Sequence, residues 1–134
     1  WEVYPPGLGQ ILRFIVSRTG ELPLYVTENG AAYALDEQDS TRDPARVSYL
    51  HRHLHQALDA IEAGIPLRGY FAWSLLDNFE WARGYEPRFG IVHVDYATQE
   101  RRVRDSGRFL ARVVREGVPP LDGGAQPEGS ASPS

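Results

Sequence analysis

The feature that most constrains the fold is an alternation of helical and extended periodicity along the chain. Segments with apolar residues on one helix face are separated by short runs of β-type residues bounded by glycine or proline. In chain order we expect a helix over Leu8–Ser17, a strand over Pro23–Thr27, a helix capped by Asp43 and running to about Ala63, a strand over Arg68–Leu75, a short extended segment over Ile91–Asp95 and a helix capped by Asp105 or Ser106. Such alternation predicts a parallel sheet with helical crossovers.

Each predicted helix has an apolar face that we expect to be buried. The faces consist of Leu8, Ile11, Leu12, Ile15 and Val16 in the first helix; Val47, Leu50, Leu54, Leu58 and Ile61 in the second; and Phe109, Leu110, Val113 and Val114 in the third. We expect residues 1–120 to form the folded region. Residues 121–134 are rich in glycine, proline and serine, and we expect disorder there because such a tail cannot offset its ordering entropy by burial.

Composition excludes several classes of function. The absence of cysteine excludes a disulfide framework, a thiolate metal site and a cysteine nucleophile. A formal net charge of −4 gives no basic field for nucleic acid or anionic lipid, and no apolar run is long enough to span a bilayer. His51 and His55 have a spacing that can bind a metal, but a solvated helix face is the preferred interpretation, so no metal or cofactor is expected.

The chain begins at Trp1 rather than at methionine, and we expect it to start inside a longer gene product. The lack of cysteine favours a cytoplasmic location. A complete eight-stranded (β/α)8 barrel needs about 250 residues, so 134 residues could supply only its last part.

Chemistry-bearing residues follow both main predicted strands, and in a βα barrel the reactive groups lie at the C-terminal ends of the strands. The first strand ends at Glu28, and Gly30 then permits a sharp turn that leaves the carboxylate pointing into the barrel mouth. The end of the second strand contains Trp73, and the loop after it contains Glu80 and Trp81. Aromatic faces stack on sugar rings and carboxylates bind vicinal hydroxyls, so this grouping indicates carbohydrate recognition. On the residues alone, core packing of the tryptophans and solvated positions for the acids remain open.

The sequence contains three segments in a recognisable order, namely Thr27–Gly30, Gly69–Trp81 and Arg88–Asp95. Together they closely resemble glycoside hydrolase family 1, the β-glucosidases, over Trp1 to about Val114. The resemblance implies an α/β fold in which this chain is the C-terminal part, the last two strand–helix units, of a (β/α)8 TIM barrel. It also implies hydrolysis of terminal β-D-glycosides with retention, through a glycosyl-enzyme intermediate and without a cofactor.

The same resemblance implies roles for individual residues. Glu28 matches the catalytic nucleophile, which fits the chemistry because a nucleophilic carboxylate must be ionised and aimed at the anomeric carbon. Glu80 would accept hydrogen bonds from the O4 and O6 hydroxyls of the sugar, and Trp81 would donate its indole N–H to a hydroxyl. Trp73 would form the platform beneath the ring, with a cis peptide bond before Ser74.

Other residues of these segments have less specific expected roles. Phe89 either lines the same pocket or packs in the core. Asp77 and Asn78 are expected to order the loop rather than perform chemistry. A surface patch is expected from Arg101, Arg102 and Arg104.

A retaining glycosidase needs a second carboxyl group about 5–5.5 Å from the first. Glu80 lies at the hydroxyl-binding position, and the acid/base glutamate of the family, in an Asn-Glu-Pro segment, is absent. We therefore expect the chain alone to be inactive. Its expected partners are the missing N-terminal part of the barrel and a β-linked glucoside or related glycoside. The glycoside should be neutral, since Glu80 would repel a 6-phosphate. Two alternatives stay open: a non-catalytic sugar-binding remnant and a self-associating partial barrel with open strand edges.

Overall fold

The computed structural model describes residues 2–36 and 38–121. Its elements are α1 (Pro6–Thr19), β1 (Leu24–Asn29), α2 (Pro44–Glu62), β2 (Leu67–Ala72), β3 (Val92–Val94), β4 (Arg101–Val103) and α3 (Asp105–Glu116), with a 3₁₀ turn over Trp81–Arg83. The predicted helices and strands occur in the predicted order, and β4 is an additional strand. The predicted disordered tail lies outside the described residues, apart from Leu121.

The main sheet consists of β1 and β2, which pair in parallel with α2 as the crossover. Helices cover one face of this sheet. The cluster beneath α1 and α2 consists of Leu12, Ala57, Ala60 and Leu67, with Leu24 and Val26 packed against it. Because full burial of a leucine-sized side chain stabilises a protein by about 1.5–3 kcal/mol, this covered face holds the sheet to the helices.

The opposite face of the sheet is uncovered. Tyr25 and Phe71 are each 58% exposed, and Gly69 lies between them, where a Cβ would be 2.7 Å from Cδ1 of Tyr25. Within the described residues, β1 and β2 pair only with each other. Since parallel sheets are normally covered on both faces, this sheet has an open apolar face and two open edges.

The predicted helix faces are correct at their centres and wrong at their margins. Leu12, Leu50, Leu54 and Phe109 are buried as expected. The predicted face residues that are exposed instead are Ile11 (49%), Leu58 (36%), Ile61 (46%) and Val114 (85%). A helix buries only the face that another element covers, and no element of the described chain lies over these side chains.

The strands β3 and β4 form an antiparallel hairpin, of which the sequence predicted only the first strand. Its turn is closed by the carboxylate of Asp95, which accepts hydrogen bonds from the N–H groups of Ala97 and Thr98 at 2.9 and 3.1 Å. Such an Asx turn replaces a backbone turn. Arg101 and Arg102 are exposed, as predicted for a surface patch.

Asp43 occupies the N-cap position of α2, as predicted, but its side chain does not cap that helix. Its Oδ1 accepts the N–H of Ser106 at 2.9 Å and its Oδ2 accepts the Ser106 hydroxyl at 2.5 Å. Ser106 lies in the first turn of α3, where backbone N–H groups lack partners within the helix. Asp43 therefore caps α3 and joins the beginnings of two helices.

Candidate functional site

The end of β1 is irregular in a way that exposes Glu28. Between Val26 and Asn29, β1 has two residues where β2 has one. Plain alternation would put Glu28 on the same side as Val26, which packs against the helices. The extra residue breaks this alternation, and both Thr27 and Glu28 are exposed. A bulge of this kind re-aims a side chain.

Asn29 and Gly30 fix this strand end to β2. The hydroxyl of Tyr70 donates to Oδ1 of Asn29 at 2.6 Å, and the N–H of Trp73 donates to its carbonyl at 2.9 Å. Burial raises the pKa of Tyr70, so its hydroxyl remains a donor. A Cβ at Gly30 would lie 1.7 Å from the carbonyl oxygen of Trp73, so this close approach requires glycine. The two strand ends are thus joined directly beside Glu28.

The loop after β2 begins with a cis peptide bond between Trp73 and Ser74, as the resemblance implied. The N–H of Ser74 donates to the carbonyl of Phe89 at 3.2 Å, and the N–H of Ile91 donates to the carbonyl of Ser74 at 2.8 Å. These bonds tie the start of the loop to its return.

A buried ion pair holds the middle of this loop. The guanidinium of Arg104 binds both carboxylate oxygens of Asp77 at 2.9 Å, and the N–H groups of Gly90 and Val94 donate to the same carboxylate at 3.0 and 3.2 Å. Burial by itself would raise the pKa of Asp77, but hydrogen bonds from Arg104 and its positive charge outweigh burial and lower it. Asp77 therefore orders the loop, as predicted. The predicted surface position of Arg104 is wrong, because this arginine is the buried counter-ion of Asp77 and is 1% exposed.

Arg46 is a second buried cation, which sequence reasoning missed. It is 2% exposed and pairs with Asp43 at 2.6 Å. It also donates to the carbonyls of Ala31, in the loop after β1, and of Arg88, in the loop after β2. The available signal was its place four residues before Leu50, on the buried face of α2. Arg46 therefore braces the two loops against each other.

Glu80 and Trp81 lie at the 3₁₀ turn. The side-chain amide of Asn78 donates to Oε1 of Glu80 at 2.9 Å, and the N–H of Glu80 donates to the carbonyl of Gly84 at 2.7 Å. Trp81 has φ 45°, a left-handed conformation that is rare for a bulky residue, and is 84% exposed. The indole of Trp81 is therefore exposed rather than packed against other side chains.

An open cleft of about 560 Å³ lies between the loops after β1 and β2. Glu80, Trp81 and Phe89 line it, together with residues 30–33 and Tyr49. Phe89 is only 7% exposed, so it packs as well as lining the cleft. Neither Glu28 nor Trp73 lines this cleft; they lie at the adjoining strand ends. The structure thus brings three of the five predicted residues into one cleft and leaves two beside it.

The two helical histidines contact the end of the chain. Nε2 of His51 and Nε2 of His55 each lie 2.7 Å from the carbonyl oxygen of Pro119, so both rings contact this segment while they remain partly exposed on α2. Over the ranges that the structure describes, no three or more His, Asp or Glu side chains are grouped as metal ligands. No helix in those ranges combines the length and apolar character of a membrane span.

An α/β unit with a carboxylate exposed at one strand end, and a second carboxylate beside an exposed indole after the next strand, is typical of a protein that acts on carbohydrates. The model of the family described as glycosyl hydrolase family 1 matches residues 1–118. The chain belongs to this family.

Individual relatives agree with this assignment. The chain is 50% identical over 117 residues to beta-glucosidase A of Thermotoga maritima, covering 86% of this chain and 26% of that protein. It is 41% identical over 118 residues to a 6-phospho-beta-galactosidase of Staphylococcus aureus, covering 85% and 25%. The solved structure of the Thermotoga maritima beta-glucosidase in complex with glucoimidazole matches 87% of this chain and 27% of its own, with a TM-score of 0.83 and 49% identity. The chain therefore spans about a quarter of the length of these relatives.

Proposed function

We propose that this chain is the C-terminal part of a retaining β-glycosidase of the β-glucosidase type. It would supply the last two strand–helix units of a (β/α)8 barrel, with Glu28 as the nucleophile. The observation that carries the proposal is the exposure of Glu28 on a bulged strand end, joined by Asn29 and Gly30 to the strand whose loop bears Glu80 and Trp81. Family membership and the named relatives support hydrolysis of glycosides.

In this mechanism the carboxylate of Glu28 attacks the anomeric carbon and forms a glycosyl ester as the aglycone departs. A second carboxyl group protonates the leaving oxygen and then activates the water that hydrolyses the ester. Glu80 would accept hydrogen bonds from the O4 and O6 hydroxyls, Trp81 would donate its indole N–H, and Trp73 would support the sugar ring. Phe89 would close the side of the pocket.

The second carboxyl group would come from the remaining part of the barrel, which is the proposed partner. Support comes from the uncovered sheet face with Tyr25 and Phe71 exposed, from the open edges of β1 and β2, and from the quarter-length match to the relatives. Self-association through the same face is the competing outcome, and a concentration-dependent mass in sedimentation of the purified chain would favour it.

One reconstitution experiment tests the nucleophile and the partner together. The chain is mixed with the N-terminal three-quarters of the Thermotoga maritima beta-glucosidase, and hydrolysis of a nitrophenyl β-glucoside is measured. We expect activity with the wild-type chain, a loss of several orders of magnitude with Glu28→Gln, and failure to assemble with Phe71→Lys. Leu22→Lys, at a loop residue that is 58% exposed, serves as the surface control.

The label that identifies the nucleophile is a dinitrophenyl 2-deoxy-2-fluoro-β-glucoside. Its leaving group departs without protonation, so the adduct depends on the nucleophile and not on the acid. We expect mass spectrometry of the assembled protein to find the sugar on Glu28. A sugar on Glu80, or equal labelling of Glu28→Gln, would overturn the assignment.

The proposed substrate is a neutral glycoside rather than a 6-phosphorylated one. The support is the carboxylate of Glu80 in the cleft, because like unit charges 4 Å apart repel by roughly 1 kcal/mol in water and 4 kcal/mol at an effective dielectric constant of 20. Comparing neutral with 6-phosphorylated substrates is informative because one relative is named a 6-phospho-beta-galactosidase. In the assembled protein we expect faster hydrolysis of a nitrophenyl β-glucoside than of its 6-phosphate, and the opposite order would exclude this role of Glu80.

A further inference from the structure

We propose that Asn78, held in place by Ser74, is a positioning residue that orients the carboxylate of Glu80 and so sets selectivity for the sugar hydroxyl that Glu80 binds. This inference rests on the proposed function. Its basis is a chain of two side-chain contacts: the Ser74 hydroxyl lies 3.1 Å from Oδ1 of Asn78, and Nδ2 of Asn78 lies 2.9 Å from Oε1 of Glu80.

The direction of these bonds follows from the donors and acceptors available. A carboxylate only accepts hydrogen bonds, so the NH₂ end of the Asn78 amide must face Glu80. Oδ1 of Asn78 then faces the Ser74 hydroxyl, which shares its single proton between this oxygen and the carbonyl of Leu76 at 2.6 Å. A reversed amide would oppose Oδ1 to the carboxylate and is disfavoured.

The contacts of Asn78 are anchored at Ser74 and at the neighbouring backbone. Ser74 is 6% exposed and is bonded through its backbone to Phe89 and Ile91. Asp77, the residue directly before Asn78, is fixed by the buried guanidinium of Arg104. The amide of Asn78 is therefore held from two sides before it meets Glu80.

The contact leaves one side of the carboxylate available to a ligand. Within the described part of the chain, Asn78 supplies the only hydrogen bond recorded to the Glu80 side chain, and it goes to Oε1. Oε2 is then free to accept a sugar hydroxyl in the cleft that Glu80 lines. Ordering a flexible side chain opposes binding, so a carboxylate that is already held binds hydroxyls more tightly.

The test uses the full chain and the isosteric variant Asn78→Asp, which keeps the oxygen that faces Ser74 and loses the donor to Glu80. Gln10→Glu is the matched control, because it makes the same amide-to-carboxylate change at an exposed residue of α1. Tryptophan fluorescence gives the affinity for glucose and for 6-deoxyglucose, and the ¹³C carboxyl resonance of Glu80 reports the contact directly.

We expect Asn78→Asp to weaken glucose binding roughly three- to tenfold, to weaken 6-deoxyglucose binding less, because only O4 of that sugar can reach Glu80, and to move the Glu80 resonance, whereas Gln10→Glu does none of these. Asn78→Leu, which adds no charge, should act in the same direction and replaces Asn78→Asp if that variant fails to fold. An unmoved resonance, or equal weakening for both sugars, would overturn the inference. If the wild-type chain binds neither sugar while the resonance still moves, the orienting contact between Asn78 and Glu80 stands, and the hydroxyl-binding role proposed for Glu80 fails in the isolated chain.

Discussion

Replacing Asp77 by asparagine should strongly destabilise the protein. Oδ1 of Asp77 faces Arg104 and the N–H of Gly90, and Oδ2 faces Arg104 and the N–H of Val94, so either orientation of an amide brings an NH₂ group against donors. The change also leaves the Arg104 guanidinium buried without its counter-ion. The Asp77 side chain is 0% and the Arg104 side chain 1% exposed, so solvent does not compensate.

Removing one partner of a buried ion pair costs about 3–5 kcal/mol. For a chain of this size that cost corresponds to a fall in the unfolding midpoint of roughly 12–20 °C. Urea unfolding gives the free energy directly, and calorimetry gives the midpoint. The control is Asp105→Asn, because Asp105 pairs with Arg108 at 3.0 Å while both side chains are about half exposed, and exposed pairs contribute less than about 1 kcal/mol.

Two outcomes would refute this reasoning. The first is that Asp77→Asn costs no more than Asp105→Asn. The second is that the double variant Asp77→Leu/Arg104→Leu is as unstable as the sum of its single variants, since removing both charges together avoids the unpaired cation.

Two further predictions concern pH and the strand junction. Burial lowers the pKa of His53 and of His93, so the unfolded chain takes up protons at higher pH than the folded chain. The contribution of these two histidines to the free energy of unfolding is therefore fully present above about pH 6.5 and is lost as the pH drops through the folded pKa values. The unfolding midpoint should decrease as the pH falls over that range, and the dependence of the midpoint on pH should be weaker in the double variant His53→Gln/His93→Gln. An equal dependence on pH would exclude these two residues as the cause. Gly30→Ala places a Cβ against the backbone of Trp73 and should cost roughly 3 kcal/mol or prevent folding, whereas Gly7→Ala in α1 should stay within about 1 kcal/mol of wild type in the same urea experiment.

The buried charges show where sequence-based reasoning stops. Arg101, Arg102 and Arg104 are indistinguishable in sequence, yet only Arg104 is buried, because Asp77 lies within reach of its guanidinium. From sequence, Arg46 likewise looks like an exposed polar residue beside the apolar face of α2, although its guanidinium joins two loops. Such burial depends on partners 15 to 42 residues away in the chain, and local periodicity carries no information about them.

The exposed apolar residues show that sequence periodicity can also overpredict burial. Leu58, Ile61 and Val114 stand at helical spacing and were predicted to be buried, but they are exposed. Periodicity identifies an apolar face, whereas burial requires a second surface over it. The proposed remainder of the barrel would provide such a surface.

Local sequence patterns specify the order of the main helices and strands and the chemical groups at the strand ends, because periodicity, prolines and glycines act over a few residues. It also carried the motifs by which the family was recognised. The folded packing adds that a bulge exposes Glu28, that Asp43 caps α3 and not α2, and that Arg104 is the counter-ion of Asp77. These features require strands, helices and charges from distant parts of the chain to meet, and only the folded packing specifies those meetings.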